Sequence, residues 1–459
     1  MTKQPRIEEE KEDFCSKIDK SEQQLIPPGI FQQFGDFIAL CSDIEAGTKQ
    51  NELRSFLSKF GQIQFLWLED INGLGYRQAL IFFSSQEQLD NLIQNKYLNF
   101  TSLITVEQCS KQEKKISEMF LIAFYEKDPI QQKIKAQQFY EQGFIRDIHN
   151  ILEQINENQI EGRIPQGRFL TLPENFHLIT KFGCYLLSFV INLYPLSAKA
   201  AINYKILQQI MNLISALPLY YINDYHTEII SHLMRKSNDT SKREILANGG
   251  LQTLSRLLDH TNLKIKMDII TSMINILYTR EFGLTSRTIH PLYSDAKNDG
   301  VIFQVYQNCL VHGENDFLKD YAAYILSTLL RGQEVNLKMK QPLFSHLKSL
   351  FSKEMPSDQV ACMLDMLCGL AVDEGNISEI ASKNFIKTVV NLSQSSDQKI
   401  HHFSLELLLR LTEKGNELEN EIKNSIDILD FLKLIGDSNI QFDDQILVFL
   451  MKHSDELCK

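Results

Sequence analysis

Histidine and cysteine are the residue types most able to do chemistry in this chain, and their spacing does not serve it. His401 and His402 are adjacent. On a helix, neighbouring side chains point about 100° apart, so the two cannot chelate one metal together. His226 and His232 are six positions apart, again not the spacing of one helix face. The cysteines are Cys15, Cys41, Cys109, Cys184, Cys309, Cys362, Cys368 and Cys458, with no C-x-x-C pair. Most fall in apolar runs, which reads as reduced and buried thiols. The sequence holds no H-E-x-x-H, no phosphate-binding Walker loop, no G-x-S-x-G and no zinc spacing of Cys and His. Gly73-Leu74-Gly75 follows Asn72 and reads as a turn rather than a dinucleotide fingerprint. We therefore expect no enzyme, no cofactor, no metal and no small-molecule substrate.

The composition sets the class. The 459 residues are 43% hydrophobic and 23% charged, enough apolar material for a sizeable core. Net charge is -11, which argues against broad electrostatic binding to nucleic acid or an anionic membrane and leaves a local basic patch open. The most apolar run, Phe182 to Tyr194, contains Asn192 and stops at Pro195. A membrane span needs about 20 residues, so this run predicts a core helix and no membrane partner. Pro5 to Lys20 is polar, without a signal-peptide core. Reduced cysteines and no such leader predict a cytoplasmic protein, with a nuclear location also open; the sequons at Asn99, Asn238 and Asn376 then carry no meaning.

Four segments follow from pattern. Residues 1–33 form a flexible acidic tail in which Glu8 to Asp13 is either a solvated run or a docking peptide. Residues 34–109 mix periods: strands at Phe37–Cys41, Ile63–Trp67, Ala79–Phe83 and Leu103–Val106, helices at Gln50–Phe60 and Gln86–Gln94. The order is βαββαβ. Residues 110–129 form a charged linker or helix. From 130 to 459 the period is helical throughout.

This last segment repeats. Leu329, Leu370 and Leu411 end similar helices at spacings of 41 and 41, and Leu450 follows 39 later. Ile276 precedes Leu329 by 53, the excess falling in the loop-like stretch 279–299. Each ending closes a unit of short helix, turn, helix of about ten residues and longer helix. The second helices are expected to start near Phe144, Ile206, Leu251, Val301, Pro342, Phe385 and Ile426, which makes about seven units of ~40–45 residues. Such units bury their apolar faces on one another and leave an extended concave surface lined by the third helices. The loop 156–174, with Arg163 and Arg168, is a binding loop or slack; so is 279–299, with Arg280, Arg287 and Tyr293.

Ile245-Leu-Ala-Asn-Gly-Gly-Leu-Gln-Thr-Leu-Ser-Arg-Leu-Leu258 and Phe139-Tyr-Glu-Gln-Gly-Phe-Ile-Arg-Asp-Ile-His-Asn-Ile-Leu152 resemble armadillo repeats, with HEAT repeats as the close competitor. The resemblance covers roughly 320 residues and implies a right-handed α-solenoid that holds an extended peptide or a helix of a protein partner. Nuclear-import adaptors of that family carry Trp and, four residues on, Asn on the third helix. The matching pairs here are Thr271/Asn275, Tyr324/Thr328, Asp365/Gly369 and Glu406/Arg410. Only Asn275 fits, so the import role is not implied, but the pairs mark the expected groove.

Residues 34–109 resemble an RNA-recognition motif, carried by Leu53-Arg-Ser-Phe-Leu-Ser-Lys-Phe-Gly-Gln-Ile63 and Asn95-Lys-Tyr-Leu-Asn-Phe-Thr-Ser-Leu103. In that family aromatic side chains on the sheet stack unpaired bases. The stacking positions here fall on Leu40, Gln78 and Leu80, none aromatic. Alternation puts Tyr76, Leu80 and Phe82 on one open face with Ile38 and Leu40. A divergent register leaves Trp67, Tyr76 and Phe82 as candidate stackers. Lys49, Arg54, Lys59, Arg77 and Lys96 face nine acidic residues across 35–109, poor equipment for phosphate. The expectation is cover by protein, either a partner or the chain's own helices, with RNA as the alternative.

Overall fold

A computed structural model describes residues 37–45, 47–70, 76–95, 97–100, 103–108, 111–160, 175–278 and 288–412. The expected tail, the helix start at Ile426, Leu450, and Arg163, Arg168, Arg280 and Arg287 lie outside the described residues. The chain divides into two compact units, the first reaching Gln132 and the second running from Lys133.

The first unit contains β1 (Phe37–Glu45), α1 (Gln50–Leu57), β2 (Ile63–Asp70), β3 (Tyr76–Phe83), α2 (Gln86–Ile93), β4 (Tyr97–Asn99), β5 (Leu103–Gln108) and α3 (Lys111–Tyr125). The sheet order is β2-β3-β1-β5-β4, with every pairing antiparallel. Short β4 is an addition to the expected order, pairing Leu98 with Ile104 of β5. Ser85 starts α2 because its side chain accepts from the Gln88 backbone N–H. One sheet face packs on α1 and α2 through Ala39, Cys41, Leu66, Ile81 and Phe83 against Leu53, Leu57, Leu89 and Leu92, all buried.

The second unit is helical: α4 (Pro129–Glu141), α5 (Phe144–Ile160), α6 (Asn175–Leu193), α7 (Pro195–Asn203), α8 (Ile206–Ala216), α9 (Asp224–Lys236), α10 (Asp239–Ala247), α11 (Gly250–Arg256), α12 (Leu263–Leu277), α13 (Tyr293–Asn298), α14 (Val301–Val305), α15 (Asp316–Leu329), α16 (Leu337–Leu350), α17 (Ser357–Leu370), α18 (Glu374–Ile380), α19 (Lys383–Ser393) and α20 (Gln398–Thr412). The elements repeat. The long helices α6, α9, α12, α15, α17 and α20 each pack on the next, and a second row runs α5, α8, α11 and α14. Leu329, Leu370 and Leu411 are fully buried at equivalent ends of α15, α17 and α20.

Local chemistry explains the register. Gly143, Gly249 and Gly300 precede α5, α11 and α14 with φ of 79°, 74° and 75°, the left-handed conformation a glycine takes without strain. Lys205 takes the same place before α8 at φ 54°, where its Cβ is strained. Asparagine opens several of the helices: the side chains of Asn223, Asn262 and Asn315 accept from backbone N–H groups of α9, α12 and α15.

One expectation needs correction. The helix expected to start near Pro342 begins at Leu337, capped by Asn336, and carries Pro342 inside it. Proline there supplies no N–H for the Lys338 carbonyl. Tyr306 Oη donates to that carbonyl instead, at 2.9 Å. A tertiary hydrogen bond thus replaces the one the ring removes. The unit α16–α17 also lacks a short first helix among its described residues.

Candidate protein-binding surface

Two surfaces were marked by the sequence, and they differ in what covers them. On the sheet, register puts Ile38, Phe82 and Phe65 together, and Leu40, Leu80 and Trp67 together. Ile38, Phe65, Leu80 and Phe82 are all at most 5% exposed. The charged stretch after β5 forms α3, whose Ile116, Met119, Phe120 and Ala123 are buried. Phe120 meets the Trp67 ring edge-on at 5.6 Å, and Phe65 meets Phe82 at 5.7 Å. The chain's own helix therefore lies on this face. Gln78 and Tyr76 lie on β3, but their side chains, like that of Leu40, are outside the described ones.

The second surface is the row of long helices, expected to line the inner face. Half-exposed positions recur along each: Tyr225, Glu228 and His232 on α9; Met267, Thr271 and Asn275 on α12; Phe317, Tyr321 and Tyr324 on α15; Cys362 and Asp365 on α17; His402 and Glu406 on α20. Of the seven expected groove residues, Thr271, Asn275, Tyr324, Asp365 and Glu406 are on this strip. Thr328 and Arg410 lie at its floor, 2% and 8% exposed.

Most polar groups there are already engaged. Thr271 Oγ1 donates to the Met267 carbonyl and Asn275 Nδ2 to the Thr271 carbonyl, each at 2.8 Å. Thr328 Oγ1 donates to the Tyr324 carbonyl at 2.8 Å. Asp365 receives both terminal nitrogens of Arg331, at 2.6 and 3.3 Å. Glu406 receives Arg410 at 2.6 Å. The Arg331 pair also explains the glycine at 369: a Cβ there would lie 2.7 Å from Arg331 Cγ. Sequence comparison with import adaptors found no Asn at 369, and the reason is an arginine from the preceding unit lying across that position.

Pattern reasoning missed Arg331, Tyr278, Phe317 and Tyr321. Phe317, Tyr321 and Tyr324 carried a signal, since spacings of four and seven place them on one face. Phe317 and Tyr321 stack at 4.2 Å. Arg331 and Tyr278 lie just past the ends of α15 and α12, where periodicity stops being informative.

Two of the histidines singled out in the sequence make structural contacts. His226 completes the cap of α9: its Nδ1 accepts from the Asn223 N–H at 3.2 Å. His401 contacts the Ser393 carbonyl through Nδ1. Burial pushes the Cys184, Cys362 and Cys368 thiols up, and Cys309 to about 12, which keeps them out of the thiolate form that reacts or binds metal. Among the described residues no group of three His, Cys, Asp or Glu side chains could hold a metal ion, and no helix is long and apolar enough to cross a membrane.

No family model and no curated protein matches this chain. Solved structures do resemble it. An engineered protein matches 72% of this chain and 82% of its own length, with 11% identity and a TM-score of 0.46. A structure from work on a phosphorylation switch controlling the interaction between cadherin and beta-catenin matches 70% of this chain and 52% of its own, with 13% identity and a TM-score of 0.49. A designed armadillo repeat protein in complex with the peptide (KR)4 matches 51% of this chain and 93% of its own, with 12% identity and a TM-score of 0.36. These scores are below 0.5, so the repeat rests on the chain's own packing.

Proposed function

We propose that the chain is a non-enzymatic, armadillo-type scaffold whose inner face holds an extended peptide or a helix of a partner protein, in the cytoplasm or nucleus. One observation carries the reading: a continuous half-exposed strip crosses α9, α12, α15 and α17, and its middle is aromatic and neutral (Thr271, Asn275, Tyr321, Tyr324). Aromatic side chains in a groove offer large contact area at small entropic cost. Charge is a lesser part of the reading, because Asp365 and Glu406 already hold Arg331 and Arg410. Reversing those acids would break internal pairs and test folding rather than binding.

The test uses a displayed library of random peptides selected against the full chain. Sequences enriched on the wild type should bind the double variant Thr271→Arg/Tyr324→Ala at least tenfold more weakly, the loss expected when a hot-spot aromatic is truncated. Equal binding to both would remove the inner face as the site. The first unit we read as a divergent RNA-recognition-motif fold turned to protein packing. RNA binding is the weaker reading, since α3 occupies the face on which bases would stack.

A further inference from the structure

Tyr278 follows the last turn of α12 and reaches across the helix beside it. Its hydroxyl lies 3.4 Å from Thr328 Oγ1 on α15 and 3.7 Å from Cys362 Sγ on α17. The three residues belong to three successive long helices. Packed helix axes are ~8–10 Å apart, so in a flat row α12 and α17 would be separated by about twice that. The tyrosine and the cysteine nevertheless meet, over a small residue on the helix between. Thr328 is that residue, and it is 2% exposed.

Thr328 Oγ1 donates to the Tyr324 carbonyl at 2.8 Å and reaches the phenol oxygen at 3.4 Å. Between the phenol and the Cys362 thiol, which burial holds protonated, either group can donate. The polar tip of Tyr278 is thus satisfied on the floor, while the residue as a whole stays 44% exposed. A chain of this kind strengthens each of its members, yet both contacts to Tyr278 are long, so it opens at small cost.

We propose that Tyr278 is a latch: it ties α12 to α17 across the inner face, fixes the local curvature, and bars a segment from lying along α12, α15 and α17 until it swings aside. What the latch excludes rests on the reading of the inner face as a binding surface; the latch itself does not, and is tested without a partner.

The test follows alkylation of Cys362 by iodoacetamide in the folded full chain, read peptide by peptide by mass spectrometry. Tyr278→Ala should accelerate Cys362 about five- to tenfold, the factor carried by one hydrogen bond of typical net worth. Cys368, fully buried, should not change. Thr328→Val keeps the ring and removes its hydroxyl partner; it should accelerate Cys362 by a smaller factor and decides alone where Tyr278→Ala does not fold. Nitroxides on exposed positions 264 of α12 and 358 of α17 should report a longer and broader distance in either variant. An unchanged Cys362 rate overturns the latch. So does a faster Cys362 with an unchanged distance, which would make Tyr278 a cover and not a tie.

Discussion

The sheet face of the first unit and the inner face of the second were both marked by apolar or aromatic side chains in regular spacing. In one the strip is sealed. Ile38, Leu80 and Phe82 are buried, and Phe120 of α3 lies against Trp67. In the other the strip stays half-exposed, although its residues are as large: Phe317, Tyr321, Tyr324. The difference is geometric. A five-stranded sheet has two faces, and leaving either apolar face in water forfeits roughly 1.5–3 kcal/mol per large side chain, so the adjoining segment folds over it. A stack of repeats already buries its apolar faces within and between units. Ile269, Ile270, Met273 and Ile276 of α12 are all fully buried, and what remains on the inner row is free to be a surface.

Replacing the two residues that define these surfaces would break the contrast most sharply. Phe120→Ala opens the sealed face. A buried phenylalanine truncated to alanine costs about 3–5 kcal/mol, which hydrogen exchange should register as lost protection in β2 and β3 while the helical unit stays unchanged. On the inner row, Asp365→Ala strands the Arg331 guanidinium, whose side chain is only 5% exposed. An uncompensated buried charge costs about 3–5 kcal/mol, whereas Arg331→Met, which removes the buried charge itself, should cost much less. Calorimetry that found the two variants equally damaged would show that packing, and not charge, holds α15 to α17.

Acid gives a smaller but more selective effect. All eleven histidines lie from His149 onward, so none belongs to the first unit. Burial, with Arg331 adding its charge, pushes His290 down to about 4; burial with Arg235, Lys264 and Lys236 does the same to His232. A histidine whose folded pKa is depressed binds fewer protons folded than unfolded across the window from about 4 to 6.5. Stability is therefore complete above the unfolded value and falls as pH drops through that window, by on the order of 3 kcal/mol for His290. Urea titrations at pH 7.5 and 5 should show the helical unit losing stability faster than the sheet unit. His290→Gln should flatten the dependence; an unaltered slope would assign the acid sensitivity elsewhere.

Much of this was legible in the residues. The period of 41 between Leu329, Leu370 and Leu411 located the long helices, and Gly249-Gly250 located a turn. Positions 271, 275, 324 and 365 did land on the half-exposed strip. Pro342 misled, because proline normally ends or begins a helix and its compensation by Tyr306 comes from another unit. The lysine-rich run after β5 read as a linker or a helix, and nothing local fixed its place on the sheet.

Sequence by itself determined which side chains share a face, since that depends only on the period of the backbone. Which faces stay open was decided by tertiary structure alone. Phe120 of α3 over Trp67, Arg331 across Gly369 and Tyr278 over Thr328 join residues 53, 38 and 50 positions apart. Exposure is a property of what arrives from elsewhere in the chain, and no local period records it.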